Sequence, residues 1–299
     1  MDVLRFARQH SSSKIPPVSS GVVFISNDRT HVEDIPPIHA YQLLIKAATG
    51  GNLDTLKWLT ENGFPINVVP RDEFDWSESD KKWSHTCHIC GAAAREGHLD
   101  ILKWLKSVGC GWGPNVCNQA AVGGHLDILE WLRDNKCPRD NTLCDGAAAA
   151  GHLNILEWAR ANGCSWGVST CAAAVKSGKL EVLKWLRERN CSWNERTTLN
   201  AAVEGNLEIL QYAIANGCPV VPRILDYACS GNVETVKWLR SQGYNWGVLT
   251  PTVAAQYGKL DILKWLIDAG CPCDFKTKQT AKDSGRNAIV KWLEDNGFP

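Results

Sequence analysis

Apolar residues recur in this chain in a fixed phrase. Runs such as GHLDILKWL set apolar side chains two, four, five, seven and eight residues after a glycine, as in Leu126, Ile128, Leu129, Trp131 and Leu132. That spacing predicts a helix whose apolar stripe is too wide for one-sided burial, so it must touch neighbours on both sides. Its polar positions pair Asp100 with Lys103 and Asp261 with Lys264, opposite charges on one helix face. Before each glycine lies a small-residue segment with an alanine pair, such as Ala120-Ala121 or Ala201-Ala202. This predicts a first helix that lets neighbouring backbones come close. Asn115, Thr142 and Ser169 share one position as candidate N-caps, and Thr250 with Pro251 offers a cap followed by a first-turn proline. A second glycine, at Gly109, Gly163, Gly217, Gly243 and Gly270, is placed to end the second helix.

The phrase repeats along the chain. Its origin glycine falls at Gly51, Gly97, Gly124, Gly151, Gly178, Gly205, Gly231, Gly258 and Gly285. After a first gap of 46, the spacings are 27, 27, 27, 27, 26, 27 and 27. Seven residues past each origin stands an aromatic: Trp58, Trp104, Trp131, Trp158, Trp185, Tyr212, Trp238, Trp265 and Trp292. A two-helix unit of this size cannot bury its own apolar face and must stack on copies of itself. The alternating strand leucines of a leucine-rich repeat are missing. The expected fold is an all-α solenoid of helix-turn-helix repeats.

The run AAxxGHLDILKWLxxxGC resembles the ankyrin signature over about residues 38–299, with Ala93-Ala94-Arg95-Glu96-Gly97-His98-Leu99 matching closely. The chain departs from that signature in two ways. The ankyrin period is about 33, and the missing residues all lie between the closing glycine and the next helix; the Thr-Pro-Leu-His opening is also absent. The resemblance therefore implies a projecting β-finger shortened to a tight turn. This compact, Trp-rich variety is similar to ankyrin proteins of large DNA viruses and protists.

The resemblance also implies a function, a non-enzymatic scaffold or adaptor binding a partner protein through its concave face and turns. It maps that face onto the two residues before each origin glycine, among them Val122-Gly123, Ala149-Ala150, Cys229-Ser230 and Asp283-Ser284. Arg95, Glu96, Lys176, Glu204, Gln256 and Tyr257, from the other pairs, are candidate partner contacts. The alternative is a structural assembly component that packs against itself or a larger particle.

Outside the regular repeats, residues 1–37 read as an N-terminal arm or linker, with Ser11-Ser12-Ser13 and Pro16-Pro17. An insertion at about 66–85 carries Trp76 and Trp83, further candidate contacts if this loop takes part in recognition. The last unit, about 278–299, puts Lys282 in an alanine slot and Asn287 in a leucine slot, as a terminal cap requires.

Lys+Arg and Asp+Glu number 32 each, so no global charge draws the chain to nucleic acid or anionic membrane. No apolar run approaches the roughly 20 residues of a membrane span, and the first ten residues do not read as a secretory signal. The expected location is the cytoplasm, or the host cytoplasm if the chain is viral.

The 13 cysteines follow the repeat rather than a pairing scheme. Cys90, Cys117, Cys144 and Cys171 share a first-helix slot; Cys110, Cys137, Cys164, Cys191, Cys218 and Cys271 share the slot after the closing glycine. Both sets read as small apolar residues of a reduced protein. His85, Cys87, His88 and Cys90 have metal-ligand types, but no partner pair is near. His98, His125 and His152 share a slot with Lys179, Lys259 and Arg286, which no ligand position would accept, so they are expected to buttress the inter-helix turn. The aromatic ladder lacks the basic groove of a nucleobase platform and reads as packing. Trp112, Trp166, Trp193 and Trp246 stand in the shortened fingers, and Cys273 takes their slot in a later repeat. They read either as partner anchors or as packing between turns. No fixed acid, base, nucleophile or phosphate loop recurs, and neither enzymatic activity nor a cofactor is expected.

Overall fold

The structure, a computed structural model, describes residues 37–61, 66 and 86–298, with side chains from 42 and, past the insertion, from 88. Its described residues form 18 helices and no strand. Cα proximity divides the chain after Ser165 into two compact units. In the first, α1 (Pro37–Thr49) pairs with α2 (Leu53–Glu61), α3 (Thr86–Glu96) with α4 (Leu99–Ser107), α5 (Pro114–Gly123) with α6 (Leu126–Asp134), and α7 (Thr142–Ala150) with α8 (Leu153–Ala161). In the second, α9 (Val168–Lys176) pairs with α10 (Leu180–Glu188), α11 (Glu195–Val203) with α12 (Leu207–Ala215) and α13 (Ile224–Ala228) with α14 (Val233–Ser241). Two further pairs follow, α15 (Thr250–Gln256) with α16 (Leu260–Asp268) and α17 (Phe275–Asp283) with α18 (Asn287–Asp295). No helix among the described residues is long and apolar enough to cross a membrane.

Within each unit the stripe of the second helices supplies the core. Ile128, Leu129 and Leu132 of α6, and Val182, Leu183 and Leu186 of α10, are buried, as are their counterparts along each unit except Val290 of α18, which is half-buried. The alanine pairs of the first helices are buried too, at 0% exposure for Ala120, Ala121, Ala147 and Ala148. Close approach is real there: a Cβ on Gly146 of α7 would lie 2.4 Å from Asn118 Oδ1 of α5.

The turn between paired helices needs a left-handed residue, and eight of the nine origin glycines have positive φ. Gly231 does not, because its repeat is one residue short and the deletion falls in this turn. α13 accordingly keeps the stride of α11 at its start, with Ile224 and Leu225 buried where Thr197 and Thr198 are. Cys229 then falls into the second alanine slot at 0% exposure. The expected surface pair Cys229-Ser230 is thus corrected; Cys229 is core.

The N-caps also lie elsewhere than expected. Asn115 and Ser169 are inside α5 and α9, and Thr142 and Thr250 are first helical residues. The capping slot is two residues before that of Asn115, where Gly113, Gly167, Asn194 and Asp274 stand directly before their helices and Asp140 stands one residue further out from α7. Asn194 accepts from Arg196 N–H at 3.0 Å, Asp274 from Lys276 N–H at 3.1 Å, and Asp140 from Thr142 N–H at 2.9 Å. Short acceptors and glycine are what an N-cap selects.

Within each unit, hydrogen bonds from the slot after the origin glycine tie several repeats to the one before. His98 Nε2 donates to Thr49 O at 3.1 Å, His125 to Arg95 O at 3.0 Å and His152 to Val122 O at 3.3 Å. In the second unit the same slot acts through Asn206 on Val175 O at 3.2 Å and Arg286 on Gln256 O at 3.0 Å. The expected buttressing of the turn is, for the His, Asn and Arg side chains in this slot, a shared donor role. A carbonyl at the end of a first helix is an orphan acceptor, and any of these side chains satisfies it.

The cysteine slots do more than pack. Cys137, Cys191 and Cys218 donate S–H to Gly113, Gly167 and Asn194 carbonyls at 3.8, 3.3 and 3.2 Å, each in the preceding repeat's capping slot. In the first-helix slot Cys117 donates to Pro138 O at 3.6 Å, and Thr198, its counterpart three helix pairs later in the repeat series, to Pro219 O at 2.7 Å. A hydroxyl and a thiol doing one job identify the slot as a buried donor. Thr198→Val keeps the shape and removes the donor, leaving a carbonyl unpaired. It should cost about 1–2 kcal/mol in urea denaturation, whereas Cys117→Thr should be nearly neutral.

Candidate functional site

Arg95, Glu96, Lys176, Glu204, Gln256 and Tyr257 are all exposed at the C-terminal ends of first helices, where those helices turn into the origin glycines. Arg95 and Glu96 belong to the first unit, where they border a shallow cleft of about 320 Å³ between α1, α3 and α5, lined also by His88 and Gln119. The others belong to the second unit. Trp76 and Trp83 lie outside the described residues, as do His85 and the Cys87 side chain. Among the described residues no three His, Cys, Asp or Glu side chains converge as a metal site; Cys90 is buried in its packing slot.

The turn tryptophans are half-buried. Trp112 meets Trp131 edge-on at 5.3 Å between ring centroids, Trp166 meets Trp185 at 5.6 Å, and Trp193 meets Tyr212 at 6.2 Å. Each turn aromatic thus packs on the ladder aromatic of the following repeat, the geometry that ring quadrupoles favour. A cation from the last turn of its own second helix covers it: Lys106 over Trp112 at 4.8 Å, Arg187 over Trp193 and Arg240 over Trp246 at 4.1 Å each. The pairing is visible in sequence once its cause is known. Where the turn holds Ile66, Val220 or Cys273, the matching second-helix position holds Thr60, Ile214 or Ile267 instead of a cation.

A different set of residues carries the open apolar surface. The exposed large hydrophobics among the described residues are Val108, Val203, Tyr227, Val248, Leu249, Tyr257 and Phe275. All but Val108 belong to the second unit, and all six of those lie on a first helix or at its flanks. Val203 ends α11, Tyr227 faces out from α13, Val248 and Leu249 lead into α15, Tyr257 follows it, and Phe275 opens α17. Tyr227 and Tyr257 are 49% and 54% exposed, against the half-buried rings of the ladder.

Beneath this surface sits a polar cluster that sequence reading passed over. Asp226, 5% exposed, accepts from Gly247 N–H at 3.2 Å and from the Thr250 hydroxyl, and pairs with Arg223 at 2.6 Å. Arg223 is left-handed, φ 62°, directly before the short α13. Asp226 therefore fixes α13 to the start of α15 and sets the position of Tyr227 beside it. An aspartate in an otherwise apolar first helix was its one sequence signal.

The thiols show no sign of activation as a set. Burial pushes Cys110, Cys218 and Cys271 up to about 11, and Cys229 further, which suppresses the nucleophilic thiolate.

Two family models match the chain. One, described as ankyrin repeats (3 copies), covers residues 170–250; the other, ankyrin repeats (many copies), covers 44–106. Among solved structures, the chain is similar to the human ASB11 ankyrin repeat domain, at 20% identity over 66% of this chain and 96% of that one, with a TM-score of 0.44. No curated protein matched. Ankyrin repeats generally mediate protein–protein interaction, and the family is typically non-enzymatic. With nine helix pairs among its described residues, each turned on the same glycine phrase, the chain belongs to the ankyrin repeat family.

Proposed function

We propose that this chain is a non-enzymatic adaptor that binds a partner protein through its first-helix side and the turns leading into it, with the second unit supplying the anchors. The observation that carries the reading is the placement of Val203, Tyr227, Val248, Leu249, Tyr257 and Phe275. Single exposed hydrophobics are ordinary, but six on one kind of element in successive repeats form the patch expected of an interface. Tyrosine is also favoured at binding hot spots because it buries a large ring and keeps a polar tip. Glu204 and Gln256, beside Val203 and Tyr257, give the patch a polar rim. The thiols in packing slots support a reducing compartment such as the cytoplasm.

The test is affinity capture from the native cell with the intact chain. Tyr227→Ala and Tyr257→Ala should each weaken the retained partner by about 2 kcal/mol, roughly 30-fold in Kd. Lys237→Glu, on the outer face of α14, should leave it unchanged. Equal losses from all three variants, or from none, would sink the assignment. Light scattering separates the alternative: concentration-dependent self-association abolished by the tyrosine variants would make the partner a second copy.

A further inference from the structure

We propose that the cleft beside Arg139 is a thiol-modification site, where a small peroxide-class oxidant joins Cys117 and Cys137 in a disulfide. Arg139 occupies the slot that Trp112, Trp166, Trp193 and Trp246 fill in other turns. An exposed arginine there leaves an open cleft of about 350 Å³, lined by Cys137, Arg139, Asp140, Asn141, Asn162 and Cys164, among others. Cys137 is thus a lining residue, although only 5% exposed. Its thiol, which shares its one proton with the Gly113 carbonyl, is also within hydrogen-bond reach of the sulfur of Cys117, which sits one slot deeper at 1% exposure. That hydrogen bond lowers the Cys117 pKa, with a further contribution from the Arg139 charge, against the opposing effects of burial and Asp140. Arg139 acts in the same direction on half-exposed Cys164, where burial prevails.

The second unit contains a natural control. Cys171 and Cys191 occupy the same two slots and are also hydrogen-bonded to each other. They are 0% and 1% exposed. The position equivalent to Arg139 holds Trp193, packed on Tyr212 and covered by Arg187 at 4.1 Å. This pair has the sulfur contact without the open door.

The chemistry balances with hydrogen peroxide as oxidant. The Cys137 thiolate attacks one peroxide oxygen, the O–O bond breaks, and hydroxide leaves and is protonated to water, giving a sulfenic acid. The Cys117 thiolate then attacks the Cys137 sulfur, the S–O bond breaks, and the S–S bond forms as a second hydroxide leaves and is protonated. The two thiol protons end on the two waters. Each sulfur is oxidised by one electron, and peroxide is reduced.

The experiment treats the full, reduced chain with dilute hydrogen peroxide, then denatures it in acid, alkylates it and maps its peptides without reduction. The expected product links the peptides of Cys117 and Cys137 before any link between Cys171 and Cys191 appears. Arg139→Trp should slow the first link by roughly tenfold with the helical circular dichroism unchanged. In Cys117→Thr, built on the precedent of Thr198, a sulfenic-acid trap should label Cys137. The proposal is overturned if the folded chain links both pairs at one rate, if Arg139→Trp changes nothing, or if Cys137 takes no label in Cys117→Thr.

Discussion

Gly123→Ala should destabilise the first unit by about 3 kcal/mol or more, the upper end of overpacking effects. The cause is neither the helix propensity of alanine, which is better than that of glycine, nor an unusual φ. A Cβ on Gly123 would stand 2.0 Å from the carbonyl oxygen of Arg95 and 2.7 Å from His125 Cδ2. The oxygen is backbone of the preceding repeat, so no side-chain rotation relieves the clash, and α5 must move off α3. That movement would also disturb the bond from His125 to Arg95 O. Because each repeat touches only its neighbours, the loss should be local. Thermal unfolding followed by amide hydrogen exchange should show α3 to α6 opening early, with α15 to α18 keeping their protection. A variant as stable as the parent would show that the first helices are not in backbone contact.

The second large effect separates two residues that the hydrophobic pattern treats alike. Leu183 and Trp185 both lie on the apolar stripe of α10. Leu183 is 0% exposed, whereas Trp185 is half-buried, with Trp166 at its edge and Arg189 over its face at 4.1 Å. Leu183→Ala empties a fully buried position and should cost about 3–5 kcal/mol. Trp185→Ala removes a larger side chain, but part of its surface is already in water, so about 2 kcal/mol is expected from the area lost. Urea titration of the two variants gives the order directly. A larger loss for Trp185→Ala would place the ladder in the core instead of at its outer margin.

The contrast between these residues shows where the sequence is informative. The origin glycine, the alanine pair and the second-helix stripe recur because every repeat solves the same packing problem, so repetition alone exposes the helix pairs and their order. Features that differ between repeats are harder to read. Cys229 could not be told from a surface residue, since nothing in the spacing says on which side of the glycine the missing residue falls. The N-caps were placed one or two residues late, because Thr142 and Ser169 are good capping types and only the backbone shows that Asn141 and Gly167 come first. Tyr257 was legible as a candidate contact from its place before the origin glycine. Tyr227, Val248, Leu249 and Phe275 were not: an apolar residue on a short helix or turn reads as core unless its neighbours are known. The donor role of the cysteine slots was hidden for a related reason. A thiol resembles alanine in size, and only Thr198 in the same slot, bonded to Pro219 O, reveals the carbonyl that both satisfy.

Amide hydrogen exchange of the captured complex tests the interaction surface most directly. The account predicts added protection on α11, α13, α15 and the start of α17, and on the turn holding Val248 and Leu249, with the outer faces of α10, α12, α14 and α16 exchanging as in the free chain. Protection confined to those second helices, with the first helices unchanged, would contradict it.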